Sequence, residues 1–411
     1  MSPNQTQKKM VEKYSEVERN HNLYEGTFCR NLTIIDRKNR SLVTKERGEL
    51  IDFINCSYLG LEVDSRIIQS AMDMLNKWGI YFASSRIRLR IEEIDVLDQT
   101  LGKVFANYNI ATFSNLTSCH SGALPLIASG LVPKIQFRKA PIFFLDKRAH
   151  ATMQASRDTL ACYGKVIRID FENLDKLEKS IKISSATGDT PVLIADGIYS
   201  MGGILPVKPI LSFLDKYGGF LYVDDAHGIS SNGNNGCGYA LSQMNFQNNP
   251  QVILTGSLSK GFGVFGGFAG FYYKESLDYI KRNCISYTFS GPLPPATIGA
   301  AIASAGLHLD GTVNLLQQKL HVHLKSFDEA IPFTINKNAF TNSPIRTIEV
   351  GDETLTILIG QKLFENNIAC NVAVYPVVGK SKGILRFAFS AIHTAEQIQL
   401  LIKTLKNILH I

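Results

Sequence analysis

"TGSLSKGFGVFGG", Thr255 to Gly267, admits three readings, and the choice among them decides the fold. Gly261, Gly263 and Gly266 spell G-x-G-x-x-G, the fingerprint of a dinucleotide-binding turn. Ser257 and Lys260 spell S-x-x-K, the nucleophile motif of serine acyl enzymes. The third reading keeps only one lysine among small residues. A dinucleotide turn needs a strand before it, a helix opening within it and an acidic residue about 20 positions on. The chain continues instead into "GFAGFYY", a strand pattern, so the glycines read as backbone freedom beside a site. The serine acyl enzymes also require S-D-N and K-T-G elements, and neither is present. Lys260 remains.

Working outward, short apolar, β-branched or aromatic runs alternate with longer helical patterns from residue 51 to 300. The runs are "PIFFLD", "PVLIAD", "GFLYVDD", "QVILTG" and "GGFAGFYY"; "LPVKPILSFLDKYGG" has apolar residues at helical spacing and closing glycines. This alternation predicts an α/β fold, a mostly parallel buried sheet with helices on both faces. Residues 1–50 are polar and charge-rich, as expected of an N-terminal arm that packs on something else. In "SGPLPPATIGAAIASAGLHL" a proline-rich turn leads into a helix, after which residues 301–411 mix strands and helices. They are expected to form a smaller C-terminal α+β domain beside the large domain of 51–300.

The composition suits a soluble enzyme with a sizeable core: 411 residues, 45% hydrophobic and 19% charged. The formal charge of +7 is scattered apart from "SSRIRLR", which favours anionic small molecules over a nucleic-acid stripe. Seven cysteines stand singly, with no C-x-x-C pair and an odd total. Neither a disulfide framework nor a zinc cage is suggested, and the compartment reads as reducing. The first twenty residues lack an apolar core, and no run approaches the roughly 18 apolar residues of a membrane span. The expected location is cytoplasmic.

In open α/β sheets ligands gather at the carboxyl ends of strands, so the residues just after each apolar run carry the weight. "PIFFLD" leads to His150, "PVLIAD" to Ser200, "FLYVDD" to Asp224, Asp225 and His227, and "QVILTG" to Ser257, Ser259 and Lys260. Asp224, His227 and His150 are conceivable metal ligands, but nothing else completes a coordination shell, and no metal is expected. A lysine at the end of a buried strand is poorly hydrated, which favours the neutral amine that attacks a carbonyl. With an aspartate and a histidine on a preceding strand end, Lys260 suits pyridoxal phosphate. The lysine holds the aldehyde as a Schiff base and the carboxylate keeps the pyridine nitrogen protonated. Ser118, Cys119 and His120, ahead of a helix-like run, are candidates for the phosphate through backbone N–H groups, an ordinary serine N-cap being the alternative. Ser257 is a second hydroxyl donor.

"NCSYLGL", "DKRAHATMQAS", "DGIYSMGGILPV", "YVDDAHG", "TGSLSKGFG", "FSGPLPP" and "ILRFAFSAIHT", in this order, resemble the α-oxoamine synthases. These are fold type I pyridoxal phosphate enzymes related to aspartate aminotransferase, and the resemblance runs from about residue 50 to the end. It implies decarboxylative condensation of an amino acid with an acyl thioester, usually acyl-CoA, to give an α-aminoketone, CoA and carbon dioxide. Lys260 matches the Schiff-base lysine, Asp224 the partner of the pyridine nitrogen, and His150 the histidine stacked on the ring. His227 and Ser200 match groups near the phenolic oxygen, and Ser257 a phosphate donor. Ser290 matches a hydroxyl given by the other subunit of a homodimer with shared active sites. Arg386 matches the arginine that grips the substrate carboxylate, a task suited to a bidentate fork; Arg86 and Asn55 are further substrate-binding candidates. A fold type I aminotransferase is the alternative.

The sequence also departs from the family. A glycine-rich "GSGGSR" followed by a histidine is common there, whereas "GIYFASSRIRLRIEEIDVLD" keeps Ser85 and Arg86, loses the glycines and has Ile94 in place of the histidine. The phosphate loop has Ser118-Cys119-His120 where Ser-Gly-aromatic is common, so His120 falls at the aromatic position. These changes resemble those of specialised members that make aminoketone or hydroxyketone signals, and the usual glycine, alanine or serine substrates do not carry over.

Overall fold

Seven strands form the sheet of the unit spanning Ser57–Gln318. They are β1 (Asn109–Phe113), β2 (Pro141–Asp146), β3 (Lys165–Ile169), β4 (Thr190–Asp196), β5 (Phe220–Asp224), β6 (Val252–Ser257) and β7 (Gly267–Phe271). The structure, a computed structural model, describes residues 3–25, 27, 30–336 and 338–411. Strand order is β1-β7-β6-β5-β4-β2-β3, with all pairs parallel except those of β7, which runs antiparallel to both β1 and β6. β4, β6 and β7 are buried at every residue. A strand covered on both faces cannot alternate polar with apolar, which is why these segments read as continuous apolar runs.

Helices cover the sheet: α1 (Ser65–Trp78), α2 (Glu93–Val104), α3 (Leu116–Ala128), α4 (Val207–Tyr217) and α5 (Pro295–Leu309) among them. On α4, Val207, Ile210 and Leu214 recur at helical spacing and are buried, and Gly218 ends the helix with φ 77° while its N–H reaches Leu214 O. α3 starts at an Asn115 cap whose Oδ1 accepts from the Ser118 N–H at 2.8 Å.

The opening motif ends no helix and begins none. After Lys260 the chain folds back, with Leu258 N–H on Gly266 O at 2.9 Å, and enters β7 antiparallel to β6. Gly263 has φ +77°, and a Cβ there would lie 2.7 Å from Leu61 Cβ and Glu62 N. The glycine serves a tight return and close backbone approach, not a pyrophosphate.

The second unit joins the chain up to Cys56 with Lys319–Ile411. This grouping differs from an arm, 51–300 and 301–411: the N-terminal segment and the C-terminal part share one core. Ile34–Lys38, Ser41–Thr44 and Gly48–Asp52 form an antiparallel sheet that Ile368–Ala369 extends in parallel. The helix Pro3–Tyr24 is tied to the C-terminal part by Tyr24 OH on Val372 O at 2.9 Å and Asn20 Nδ2 on Tyr375 O at 2.7 Å. A second sheet pairs Gly383–Ala388 with Ile345–Gly351 and Asn371–Ala373, and the buried Arg346 forks onto Asp328 at 2.6 and 2.7 Å.

His308, on α5, is fully buried; Nδ1 donates to Ser304 O at 2.7 Å and Nε2 accepts from Ser230 Oγ at 2.9 Å. Burial lowers its pKa from 6.5 to about 4. The unfolded chain therefore takes up a proton near pH 6.5 that the folded ring refuses until about 4. Stability contributed by neutral His308 is present above this window and lost as pH falls through it, by up to ~3 kcal/mol. His308→Leu is expected to flatten that part of the pH dependence in urea unfolding. Leu193→Ala, in the fully buried β4, is expected to cost about 2–5 kcal/mol in the same measurement.

Candidate active site

β5 and β6 lie side by side, and their carboxyl ends carry Asp224 and the loop that reaches Lys260. Lys260 Nζ stands 3.0 Å from His227 Nε2, and the other nitrogen of that ring, Nδ1, stands 2.6 Å from Tyr58 OH. His227 and Tyr58 are both buried. One imidazole thus bridges an amine and a phenol, so a proton arriving at either side changes what the other side can donate.

Asp224 ends β5 with both oxygens engaged: Oδ1 accepts from Ala226 N–H at 3.0 Å and Oδ2 from His120 Nε2 at 3.2 Å. Burial alone would push this carboxyl up, but the His120 hydrogen bond and charge, then Lys260 and the Ala226 N–H, hold it below its usual value. Asp196 is its register partner on β4 and accepts from His150 N–H at 2.9 Å. Burial, and then the nearby Asp224 charge, raise the Asp196 pKa well above the ordinary range. Burial likewise raises Asp225, whose Oδ2 takes the Ala240 N–H at 2.9 Å. His150 caps a short helix, with Nδ1 2.8 Å from Thr152 Oγ1; burial lowers its pKa, Asp224 opposes this, and Lys260 and His120 add to it.

The fold thus brings together Lys260, His227, Asp224, His120 and His150. Ser257, the last residue of β6, lies close by, its Oγ accepting from Ser259 N–H at 3.1 Å. Ser200 stands in the turn after β4 that Gly202 N–H closes onto Tyr199 O at 3.0 Å. Ser290 follows the exposed Phe289 and donates to Ser286 O. Asn55 and Arg386 belong to the other unit. There Arg386 Nη2 is 3.3 Å from Cys56 Sγ, while Asn55 is tied through its backbone, N–H to Asp52 Oδ1 at 3.0 Å and C=O to Arg40 at 3.0 Å.

One expectation needs correction, and one residue has surroundings that the sequence did not show. Ser118, Cys119 and His120 do not precede α3 but lie inside it: the Ser118 N–H is spent on Asn115 Oδ1, and the Cys119 N–H on Asn115 O at 3.2 Å. The donors left at this helix start are those of its first two residues, Leu116 and Thr117. The Cys119 thiol is buried in the apolar core, which pushes its pKa well up, and His120 turns inward to Asp224, away from the loop position expected of an aromatic. Arg86 is the residue whose surroundings the sequence did not show. It is buried, with Nη1 on Thr112 O at 2.6 Å, Nη2 on Gly291 O at 3.3 Å and its guanidinium 4.1 Å from the centre of the Tyr287 ring. These contacts hold the guanidinium between the Thr112 and Gly291 carbonyls and an aromatic face, while its Nε is buried without a hydrogen-bond partner.

Sequence reasoning missed Tyr58, Tyr222 and Asp196. Asp196 ends "PVLIAD" by the same strand-end pattern that singled out Asp224. Tyr58 lies within "NCSYLGL", yet nothing local ties it to a histidine 169 positions away.

A seven-stranded, mostly parallel sheet with a single antiparallel strand, a buried ionised aspartate and a lysine at neighbouring strand ends is the architecture of fold type I pyridoxal phosphate-dependent transferases. Solved structures agree in fold. A serine palmitoyltransferase from S. paucimobilis with bound PLP superposes with a TM-score of 0.84 over 98% of this chain and 99% of its own, at 20% identity. The 8-amino-7-oxononanoate synthase of Francisella tularensis gives 0.69 over 88% and 98%, at 23% identity. Among curated relatives, the 8-amino-7-oxononanoate synthase of Thermoanaerobacter pseudethanolicus is 26% identical over 94% of both chains. The serine palmitoyltransferase of Sphingobacterium spiritivorum is 28% identical over 89% of this chain and 88% of its own. Residues 145–405 match the aminotransferase class I and II family, and the chain belongs to it. Pyridoxal phosphate is that family's cofactor.

Replacing Tyr58 by Phe removes the phenol from His227 Nδ1. The expected result is a roughly ten-fold slower capture of pyridoxal phosphate by Lys260, about 1.4 kcal/mol, followed by absorbance. An unchanged rate would show that the phenol does not act through His227.

Proposed function

We propose that the protein condenses an amino acid with an acyl-CoA, or a related acyl thioester, on pyridoxal phosphate, releasing CoA and carbon dioxide and giving an α-aminoketone. The observation that carries the cofactor part is the juxtaposition of a fully buried carboxylate held ionised and a lysine amine 3.0 Å from an imidazole. A protonated pyridine nitrogen needs such an anion, and an aldehyde needs such an amine, so the residues present fit the group. The names of the relatives support the reaction: one product carries an amino group beside an oxo group, and the other enzyme transfers an acyl chain to serine.

When bound, the cofactor supplies an electron sink for the amino acid's α-carbon. Lys260 would hold its aldehyde carbon, Asp224 its ring nitrogen, and His150 its ring face. His227 and Ser200 would meet the phenolic oxygen. Ser257 and the start of α3 would hold the phosphate, with Ser290 reaching in from the other copy of a homodimer. Once the amino acid has taken its place, Lys260 Nζ is the base for the α-proton, and His227 Nε2, supported by Tyr58, is where that proton can be shared. Arg386 would fix the substrate carboxylate, and Asn55 would lie beside it. Holding both substrates in one cleft accounts for much of the acceleration.

The homodimer reading is supported by exposed apolar side chains around Ser290. Phe289, Ile285, Ile87 and Leu89 are all exposed, while Ser85 Oγ on Thr288 O at 2.9 Å ties the two segments together. Among the described residues no helix is long and apolar enough to cross a membrane, and a cytoplasmic location, where acyl-CoA and amino acids meet, is part of the same reading.

Lys260→Ala is expected to abolish product formation, a loss of at least ~10⁴-fold, and borohydride is expected to fix the cofactor on Lys260 of the parent protein. The decisive assay incubates the protein with a panel of amino acids and acyl-CoA chain lengths and scores free CoA and product mass. Conversion of the cofactor to its amine form with no need of an acyl donor would mark an aminotransferase instead. Sedimentation of an active monomer would overturn the role of Ser290.

A further inference from the structure

His120 lies in the second turn of α3, fully buried, and bridges two residues of the same face of β5. Its Nε2 is 3.2 Å from Asp224 Oδ2 and its Nδ1 is 2.9 Å from Tyr222 OH. Residues i and i+2 of a strand share a face, so one ring from the covering helix can meet both. An ionised carboxylate only accepts, so Nε2 must carry the hydrogen. Tyr222 is buried and its phenol is pushed well above the ordinary range, chiefly by burial, so it stays protonated and can donate into Nδ1. Both ring nitrogens then have partners of the right sense: Nε2–H donates to Asp224, and Nδ1 of the neutral ring accepts from the Tyr222 hydroxyl, which accepts in turn when the ring carries both protons.

The surroundings of Asp224 make this contact consequential. Asp196 faces it from β4, Asp225 follows it in the chain just past β5, and Cys119 precedes His120 on α3. Lys260 from the loop after β6 and His150 from the loop after β2 sense its charge. Burial and the carboxyl neighbours oppose ionisation; His120, Lys260 and the Ala226 N–H favour it. Of these, Lys260 is the group that the proposed reaction changes covalently, whereas His120 and the backbone N–H stay in place.

We infer that His120 is the positioning residue for the cofactor's ring nitrogen: its Nε2–H keeps Asp224 aimed and charged, and Tyr222 holds the imidazole in the tautomer that makes this possible. The inference rests on the proposed reading of Asp224 as the partner of that nitrogen. It replaces the phosphate-side role that sequence position suggested for His120.

The test reconstitutes the holoenzyme and its variants with pyridoxal phosphate labelled with nitrogen-15 in the ring, and reads the ring nitrogen by NMR from about pH 6 to 9. The wild-type nitrogen is expected to keep its proton throughout. In His120→Leu the proton is expected to leave within the range, a fall in proton affinity of about ten-fold or more, one pH unit. His120→Asn, which can still donate to Oδ2, is expected to restore the wild-type signal. Tyr222→Phe, which frees the tautomer, is expected to fall between. A wild-type ring nitrogen without its proton overturns the reading of Asp224 and this inference together. A protonated wild type beside an unchanged Leu variant overturns this inference alone. Should the Leu variant not fold, Tyr222→Phe decides: a midpoint equal to wild type overturns the inference, and a lowered one supports it.

Discussion

A carboxylate that stays charged at full burial is the constraint around which the larger unit is arranged. Moving such a group out of water costs several kcal/mol unless donors replace the lost hydration. Asp224 receives them from two directions, the Ala226 N–H of its own turn and the His120 imidazole of α3. The first requires the chain to turn sharply where β5 ends; the second requires α3 to lie against β5 with one polar ring pointing into an otherwise apolar interface. The buried face of α3, with Cys119, Ala123, Leu124, Ile127 and Ala128 around a single inward histidine, answers those two demands.

The same end of the sheet holds three other carboxyls, and burial weighed against donors and neighbouring cations sets the direction at each. Asp196, Asp225 and Asp146 are all raised, burial being the largest cause in each. Asp196 has the His150 N–H, and Asp225 the N–H groups of Ala240 and Tyr239, against an imidazole and a backbone N–H on Asp224. Asp146 has three donors, the N–H groups of Arg148 and Phe171 and the Tyr199 hydroxyl, yet burial outweighs them. Charge concentrates at the position nearest the lysine, and the remaining acids serve as hydrogen-bonded braces for the loops, Asp196 for His150 in particular.

The parts of the fold legible in the sequence were those that burial writes into composition. β2, β4, β5, β6 and β7 are covered on both faces or nearly so, and their apolar runs identify them without any tertiary knowledge. β3 is partly exposed along "KVIRI" and the strands between Ile34 and Asp52 pair as a mostly solvated antiparallel sheet, so neither shows a continuous run. Asp224, His227 and Lys260 were legible because strand ends are where ligands gather. The surroundings of Arg86 were not legible, for a definite reason. An arginine among small residues offers the same local pattern whether its fork meets a substrate or the carbonyls of Thr112 and Gly291, and only the fold distinguishes the two.

His120 is the sharper case, because its sequence position and its physical position point to opposite ends of a ligand. Counting from the strand, Ser118 to His120 occupy the place of a phosphate-binding loop, but the Asn115 cap starts the helix earlier than a loop reading assumes. With the helix under way from Leu116, each residue advances about 100° around the axis, and Cys119 and His120 fall on the buried face while Ser118 stays half-buried. Cys119 then fills apolar space and His120 meets the Asp224 carboxylate. The capping asparagine, which carries no chemistry of its own, thereby sets which residue stands behind Asp224.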